Sequence, residues 1–190
     1  IYQMSADTKQ EEALALIDKL NADPAINGLM VQLPAPKQID ADALLERIDP
    51  NKDVDRLTPA NIGHLCMGNH FVEPATAEGI IALLKHYEIP LEGKNVVIIG
   101  RSNIVGKPLA ALMLEQNATV TIAHSRTKNL GEITKKADVL VSATGQAFLV
   151  KADMVKDGAV VVDVGMNHVD GKLVGDVDFD KVKEKTSYIT

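Results

Sequence analysis

The sequence predicts an α/β protein in which a Rossmann-like, doubly wound parallel sheet follows part of an N-terminal α/β domain. From residue 95 onward, short and almost continuously apolar segments alternate with helical ones, which is typical of parallel strands covered on both faces by helices. Right-handed crossovers then place these strands in one sheet. Before residue 76, two segments with helical periodicity flank one apolar run. We therefore expect two domains, 1–75 and 76–190.

The composition excludes several classes of protein. The 190 residues are 46% hydrophobic and 24% charged, which is typical of a globular protein with a core, and the net charge of -6 argues against a nucleic-acid partner. The longest apolar runs are far shorter than the roughly 20 residues that a membrane span needs. The single cysteine, Cys66, excludes an internal disulfide, and no cysteine or histidine set has metal-ligand spacing. We expect a cytoplasmic protein without a metal site or a membrane partner.

The first domain reads as helix, strand, helix. Residues 11–21 place apolar side chains at helical spacing, and 26–33 form a compact apolar run that we predict to be a buried strand. A second helix is expected over 40–48, where Pro50 follows its end. Residues 51–75 lack sustained periodicity and predict a long surface loop or an interdomain crossing.

The second domain has a regular alternation of elements, and Ser-Tyr-Ile-Thr at its end reads as a further strand. The predicted elements are helices over 77–88, 107–116, 129–137 and near 151–155, and strands over 95–100, 118–123, 138–143 and 159–165.

The turn between the first strand and the next helix of this domain predicts a phosphate-binding site. Gly100 permits a tight turn there, Gly106 permits close helix packing, and Ser102 can offer its hydroxyl and amide to a pyrophosphate. The pattern departs from G-x-G-x-x-G, because Ser102 replaces the second glycine. A purely structural turn is the alternative.

The end of the next strand favours NADP over NAD. A typical NAD site places an acidic residue there to bind the ribose hydroxyls, whereas this sequence has His-Ser-Arg-Thr at 124–127. Arg126 and Arg101 lie where they can bind a 2′-phosphate. Two ordinary solvated arginines are the alternative.

Two further turns, 142–145 and 163–167, follow parallel strands and should face the same crevice. For Asp163, ligand binding and a turn role both stay open. In the first domain, Gln32 lies at the end of the apolar run, and a polar residue in such a position often lies at a cleft.

Six segments spread over nearly the whole chain form a specific set. They read Val-Gln-Leu-Pro (31–34), Lys-Asp-Val-Asp (52–55), Gly-Arg-Ser-Asn-Ile-Val-Gly-Lys-Pro (100–108), Asp-Val-Gly-Met-Asn (163–167), Gly-Asp-Val (175–177) and Ser-Tyr-Ile-Thr (187–190). With this set, the sequence resembles the methylenetetrahydrofolate dehydrogenase/cyclohydrolase family of one-carbon metabolism.

The resemblance implies NADP-dependent oxidation of 5,10-methylenetetrahydrofolate and hydrolysis of the product to 10-formyltetrahydrofolate, in one cleft between a catalytic domain and the Rossmann domain. It also implies a homodimer. By position, Gln32 matches a glutamine that supports a catalytic lysine, and Asp55 matches an aspartate that holds the pterin ring. The positions that match cofactor contacts are Gly100, Arg101, Ser102, Ser125 and Met166.

Some features depart from this family. Its Tyr-x-x-x-Lys motif is not in the sequence, so we expect an internal fragment that binds NADP without turnover. Arg56 stands where the family usually has glycine, and it would strain the loop if that position needs a positive φ. A catalytically silent NADP-binding relative is therefore one alternative. Another Rossmann dehydrogenase, such as one acting on shikimate, would explain residues 95–170 but not Gln32 or 52–55.

Overall fold

The first unit of the chain, Ile1–Ala75, is built on three helices, in a computed structural model that describes residues 1–190. These are α1 (Gln10–Ala22), α2 (Ala41–Arg47) and α3 (Pro59–Cys66). The apolar faces of α1 and α2 form the core of this unit, through Ala13, Ile17, Leu44, Leu45 and Ile48. The predicted helices over 11–21 and 40–48 are thus confirmed.

The strand predicted over 26–33 is wrong. Only Leu29 pairs with another segment, in a single parallel bridge to Asp53. The Leu29 N–H donates to the carbonyl of Lys52 over 2.6 Å, and the Val54 N–H donates back to the Leu29 carbonyl over 3.2 Å. An apolar run becomes a strand only where a neighbouring strand continues the hydrogen-bond ladder, and here the partner segment offers one bridge.

The loop predicted over 51–75 contains a helix, α3, which was not predicted. Thr58 is its N-cap, and its hydroxyl oxygen accepts from the Asn61 N–H over 3.4 Å. Pro59 occupies the first helical position, where its missing N–H costs nothing. Eight residues are too few for helical periodicity to stand out, but Thr-Pro is a start signal that could have revealed the helix.

The second unit, Thr76–Thr190, contains a five-stranded parallel sheet whose strands lie side by side in the order Thr119–Ala123, Asn95–Ile99, Val139–Ser142, Val160–Asp163 and Tyr188–Ile189. This order confirms the Rossmann-like fold. The elements are α4 (Ala75–His86), β1 (Asn95–Ile99), α5 (Gly106–Glu115), β2 (Thr119–Ala123), α6 (Leu130–Thr134), β3 (Val139–Ser142), β4 (Val160–Asp163), β5 (Asn167–Val169), β6 (Lys172–Val174), α7 (Phe179–Val182) and β7 (Tyr188–Ile189).

Four details of this unit differ from the prediction, and the first is the short helix α7, which was not predicted. The helix expected near 151–155 is a single 3₁₀ turn, and an antiparallel hairpin of β5 and β6 was not foreseen. Asp170 and Gly171 close the hairpin with φ of 50° and 75°, as a type I′ turn requires. Helices do not cover all of the sheet, because β2 leaves three of its five residues exposed. None of the helices is both long and apolar enough to span a membrane.

Candidate active site and cofactor site

The turn from β1 into α5 depends on two glycines. Gly100 has a φ of 130°, and a Cβ there would overlap the carbonyl oxygen of Ala143 in the turn after β3. A Cβ on Gly106 would overlap the carbonyl oxygen of Gly100 itself. The two glycines therefore let the backbone of this turn pack directly against neighbouring backbone, which shapes the tight turn before α5 at the edge where folds of this kind bind phosphates.

Ser102 shapes the start of α5 from within this turn. Its Oγ accepts from the backbone N–H of Val105 over 3.1 Å and of Gly106 over 3.4 Å. These bonds use the lone pairs of the hydroxyl, so its proton remains to be donated to a bound oxygen. Ser102 and Arg101 are both exposed.

The turn after β2 presents two exposed residues, Ser125 and Arg126. It is held by a 2.8 Å hydrogen bond from the His124 N–H to Thr127 Oγ1, and by a 3.2 Å bond from the Arg126 N–H to His124 Nδ1. The turn contains no carboxylate. A phosphate there would meet cationic and hydroxyl groups without repulsion.

The turns after β3 and β4 are tied together by Asp176, a fully buried carboxylate. Burial raises its pKa, but hydrogen bonds from Thr144, Asn167 and Ser142 outweigh that effect, and the pKa lies below its ordinary value. The turn after β4 ends at Met166, whose side chain is 78% exposed. It is thus available to a ligand at this edge of the sheet.

Asp163 has a turn role, which resolves the alternatives left by the sequence. Its carboxylate accepts three backbone N–H groups, from Gly165 over 2.9 Å, Asp176 over 3.0 Å and Val177 over 2.9 Å. These bonds leave little capacity for a ligand.

In the first unit, two residues of the Lys-Asp-Val-Asp segment bond it to neighbouring helices, and a third, acidic residue has no such role. Lys52 Nζ donates to three carbonyls at the end of α1, at 2.6 to 3.1 Å. Asp53 is 2% exposed, and its Oδ2 accepts from the Thr58 N–H and from Asn61 Nδ2. Asp55 is half-buried. Its pKa is raised, mainly by this partial burial and in addition by the nearby Asp53 carboxylate. Asp55 is therefore the acid left to bind a ligand.

Gln32 lies at the edge of an apolar cavity of about 860 Å³, and its Nε2 donates only to the carbonyl of Leu33, over 3.1 Å. Asp55 is not among the residues that line this cavity. The parallel bridge between Leu29 and Asp53 nevertheless sends both segments onward in the same direction. Gln32 and Asp55 follow this bridge by three and two residues, and of the two only Gln32 lines the cavity.

A parallel sheet with glycine-bearing turns at the carboxyl ends of its central strands defines a dinucleotide-binding protein. Residues 74–190 match the family described as "Tetrahydrofolate dehydrogenase/cyclohydrolase, NAD(P)-binding domain". Residues 1–55 match "Tetrahydrofolate dehydrogenase/cyclohydrolase, catalytic domain". The chain belongs to the tetrahydrofolate dehydrogenase/cyclohydrolase family, which confirms the resemblance and excludes a dehydrogenase of another family.

Several relatives illustrate this membership. The bifunctional protein FolD of Lactobacillus helveticus is 95% identical over all 190 residues, which span 67% of that protein. The crystal structure of the bifunctional FolD from Campylobacter jejuni is 49% identical with a TM-score of 0.95, over the whole chain and 68% of that protein. The Trypanosoma brucei enzyme, complexed with NADP and an inhibitor, is 39% identical with a TM-score of 0.91, over 97% of this chain and 66% of that one.

Proposed function

We propose that this protein catalyses the NADP-dependent oxidation of 5,10-methylenetetrahydrofolate to 5,10-methenyltetrahydrofolate, and the hydrolysis of that product to 10-formyltetrahydrofolate. The observation that carries the proposal is that both parts of the chain match the two domains of one dehydrogenase/cyclohydrolase family. The proposal assigns the folate to residues 1–75 and NADP to 76–190. The division into the units Ile1–Ala75 and Thr76–Thr190 supports this assignment.

The turns at the carboxyl edge of the sheet fit NADP. Gly100 and Ser102 bind the pyrophosphate through the bare backbone and the donor hydroxyl, because these groups replace the water lost by the phosphates. Arg101, Ser125 and Arg126 bind the 2′-phosphate, supported by the lack of a carboxylate in residues 124–127. Met166 contacts the nicotinamide half, supported by its exposure after β4.

Asp55 and Gln32 serve the folate. The carboxylate of Asp55 accepts N–H groups of the pterin ring, and such donors would offset the partial burial that raises its pKa. Gln32 uses its exposed amide to orient the catalytic lysine that the family resemblance implies.

The main contribution of the protein to this chemistry is to position the folate and the cofactor relative to each other. When bound, NADP accepts the hydride that leaves the methylene carbon, whose positive charge is shared with two adjacent nitrogens. Asp55 holds the pterin ring so that this carbon keeps one orientation. Water then adds to the methenyl carbon, one carbon–nitrogen bond breaks, a proton is released, and the formyl group remains on N10.

The test is NADPH formation by the full-length gene product with 5,10-methylenetetrahydrofolate and NADP. Asp55→Ala should lower kcat/KM by about a hundredfold, the effect of losing a charged hydrogen bond to substrate. Asp42→Ala, which removes an exposed acid of α2, should change it less than about twofold. Wild-type protein that binds NADP but forms no NADPH would overturn the proposal in favour of a silent relative.

A homodimer through the sheet is part of the proposal. The edge strand β2 carries no charge, although exposed edges usually carry charges that prevent pairing, and Ile122 on it is 39% exposed. A second copy would cover this edge. Ile122→Lys should give a monomer in analytical ultracentrifugation, whereas Leu173→Lys on the hairpin should not. A monomeric wild-type protein would contradict the dimer.

The free and exposed thiol of Cys66 suits a reducing compartment, which supports a cytoplasmic location.

A further inference from the structure

The carboxylates of Asp163 and Asp176 connect the segment after β6 to the turns after β3 and β4. Asp163, at the end of β4, accepts the backbone N–H groups of Asp176 and Val177 over 3.0 Å and 2.9 Å. Two glycines make room for the pair, because a Cβ on Gly175 would overlap the Asp163 carboxylate, and a Cβ on Gly165 would overlap that of Asp176. The segment after β6 is thereby fixed against the turn after β4.

Asp176 in turn collects donors from both neighbouring turns. Its Oδ2 accepts from Ser142 Oγ over 3.0 Å, and from the N–H and Oγ1 of Thr144 over 2.6 Å and 2.8 Å. Its Oδ1 accepts from the Gln146 N–H over 2.9 Å and from Asn167 Nδ2 over 3.0 Å. One carboxylate therefore fixes the position of the turn after β3 relative to the turn after β4.

We propose that Asp176 is a positioning residue that holds the turns after β3 and β4 in the arrangement that receives the nicotinamide half of NADP. The inference rests on the proposed function, since it assumes that these turns face the cofactor. Asp176 is fully buried and so acts through the turns rather than by touching the cofactor.

The role requires a carboxylate rather than an amide of the same shape. In Asp176→Asn, one of the two terminal atoms is an NH₂ group. If it replaces Oδ2, it faces the Thr144 N–H, and if it replaces Oδ1, it faces the Gln146 N–H. Either orientation places a donor opposite a donor, so at least one turn loses its bond to residue 176. In the second orientation the exposed Gln146 keeps a 3.2 Å bond to Thr144 Oγ1, but Asn167 Nδ2 faces the new NH₂ group instead of an acceptor.

The test is calorimetric titration of this chain with NADP and, separately, with adenosine 2′,5′-bisphosphate, which carries only the adenosine half. Asp176→Asn should weaken NADP binding about tenfold, in line with the loss of one charge-assisted hydrogen bond, and should leave bisphosphate binding within about twofold. Asp180→Asn is the matched control, because this substitution removes the same charge from the same segment at an exposed carboxylate. It should leave both affinities unchanged.

Equal affinities of wild-type and Asp176→Asn chains for NADP would overturn the inference, and so would an equal loss for both ligands. A wild-type chain that binds neither ligand would overturn the proposed function itself. If Asp176→Asn does not fold, as judged by circular dichroism, Asn167→Ala replaces it, because it cuts one link between Asp176 and the turn after β4. That variant should weaken NADP binding about threefold, with bisphosphate binding again unchanged, and an unchanged NADP affinity would overturn the inference.

Discussion

Asp53 and Thr58 are joined by a 2.8 Å hydrogen bond from the backbone N–H of Thr58 to Asp53 Oδ2. Thr58 is the N-cap of α3, so the bond attaches the segment before it to the start of that helix. On the other side, Lys52 is bonded to the last carbonyls of α1. The loop that carries Asp55 is therefore anchored to two helices, which keeps the entropic cost of binding a substrate low.

Asp53→Ala should destabilise the chain by about 2 kcal/mol, because both donors share Oδ2 as their acceptor and its loss leaves the buried N–H of Thr58 without a partner. The free energy of unfolding in urea measures this loss. Asp42→Ala, at an exposed position of α2, should change it by less than about 0.5 kcal/mol. A loss no larger than that of the control would show that Asp53 does not anchor the loop.

The stability contribution of Asp55 should depend on pH. Its pKa in the folded chain lies above the ordinary 3.8, since partial burial and the Asp53 carboxylate disfavour the charged form. The contribution is therefore complete below pH 3.8 and is lost as the pH rises through the folded pKa. The unfolding free energy of wild type minus that of Asp55→Asn should fall as the pH rises from about 3.5 to 7.

Asp18→Asn provides a control of opposite sign. The hydrogen bond from Arg47 lowers the pKa of Asp18, so its contribution is present above pH 3.8 and is lost as the pH falls through the folded pKa. If the differences in unfolding free energy for Asp55→Asn and Asp18→Asn changed with pH in the same direction, the partly buried position of Asp55 beside Asp53 would be contradicted.

Arg126→Asp should weaken NADP binding at least about a hundredfold, because it replaces attraction to a 2′-phosphate by repulsion, and should weaken NAD binding less than about threefold. Parallel calorimetric titrations with both cofactors measure the two effects. Lys135→Asp makes the same charge change at the far end of α6 and should leave both affinities nearly unchanged. Equal losses for NADP and NAD in Arg126→Asp would refute the 2′-phosphate assignment.

Arg56 adopts a φ of 57°, as expected if this position requires a left-handed backbone. Arg56→Val should destabilise the chain by about 2 kcal/mol, because a branched Cβ is strongly disfavoured there. Arg56→Gly should cost less than about 1 kcal/mol, since relief of strain offsets the entropy of glycine and the lost 3.1 Å bond to the Pro50 carbonyl. Urea unfolding tests both, and a glycine variant no more stable than the valine variant would contradict this account.

Local patterns predicted much of the fold. The helices α1 and α2 and the strands β1, β3 and β4 have apolar spacing that matches their burial. The run 26–33 failed because strand formation depends on a partner outside the segment. The hairpin of β5 and β6 was missed because three-residue strands with polar residues give no periodic signal.

The candidate site divides in the same way. The glycines and arginines of the strand-end turns could be found from the sequence, since they lie beside recognisable strands and helices. The role of Asp176 could not, because its bond to Ser142 spans 34 residues and no local pattern announces such a contact. The anchoring role of Asp53 was missed because α3, which supplies its donors, was not predicted.

A calorimetric titration of the 190-residue chain with NADP and, in parallel, with NAD tests whether the carboxyl edge of this sheet is an NADP site. We expect one NADP per chain, bound at least about tenfold more tightly than NAD, because a 2′-phosphate gains charge-assisted hydrogen bonds at Arg101 and Arg126. Binding of neither cofactor by the folded chain, or tighter binding of NAD, would contradict this expectation.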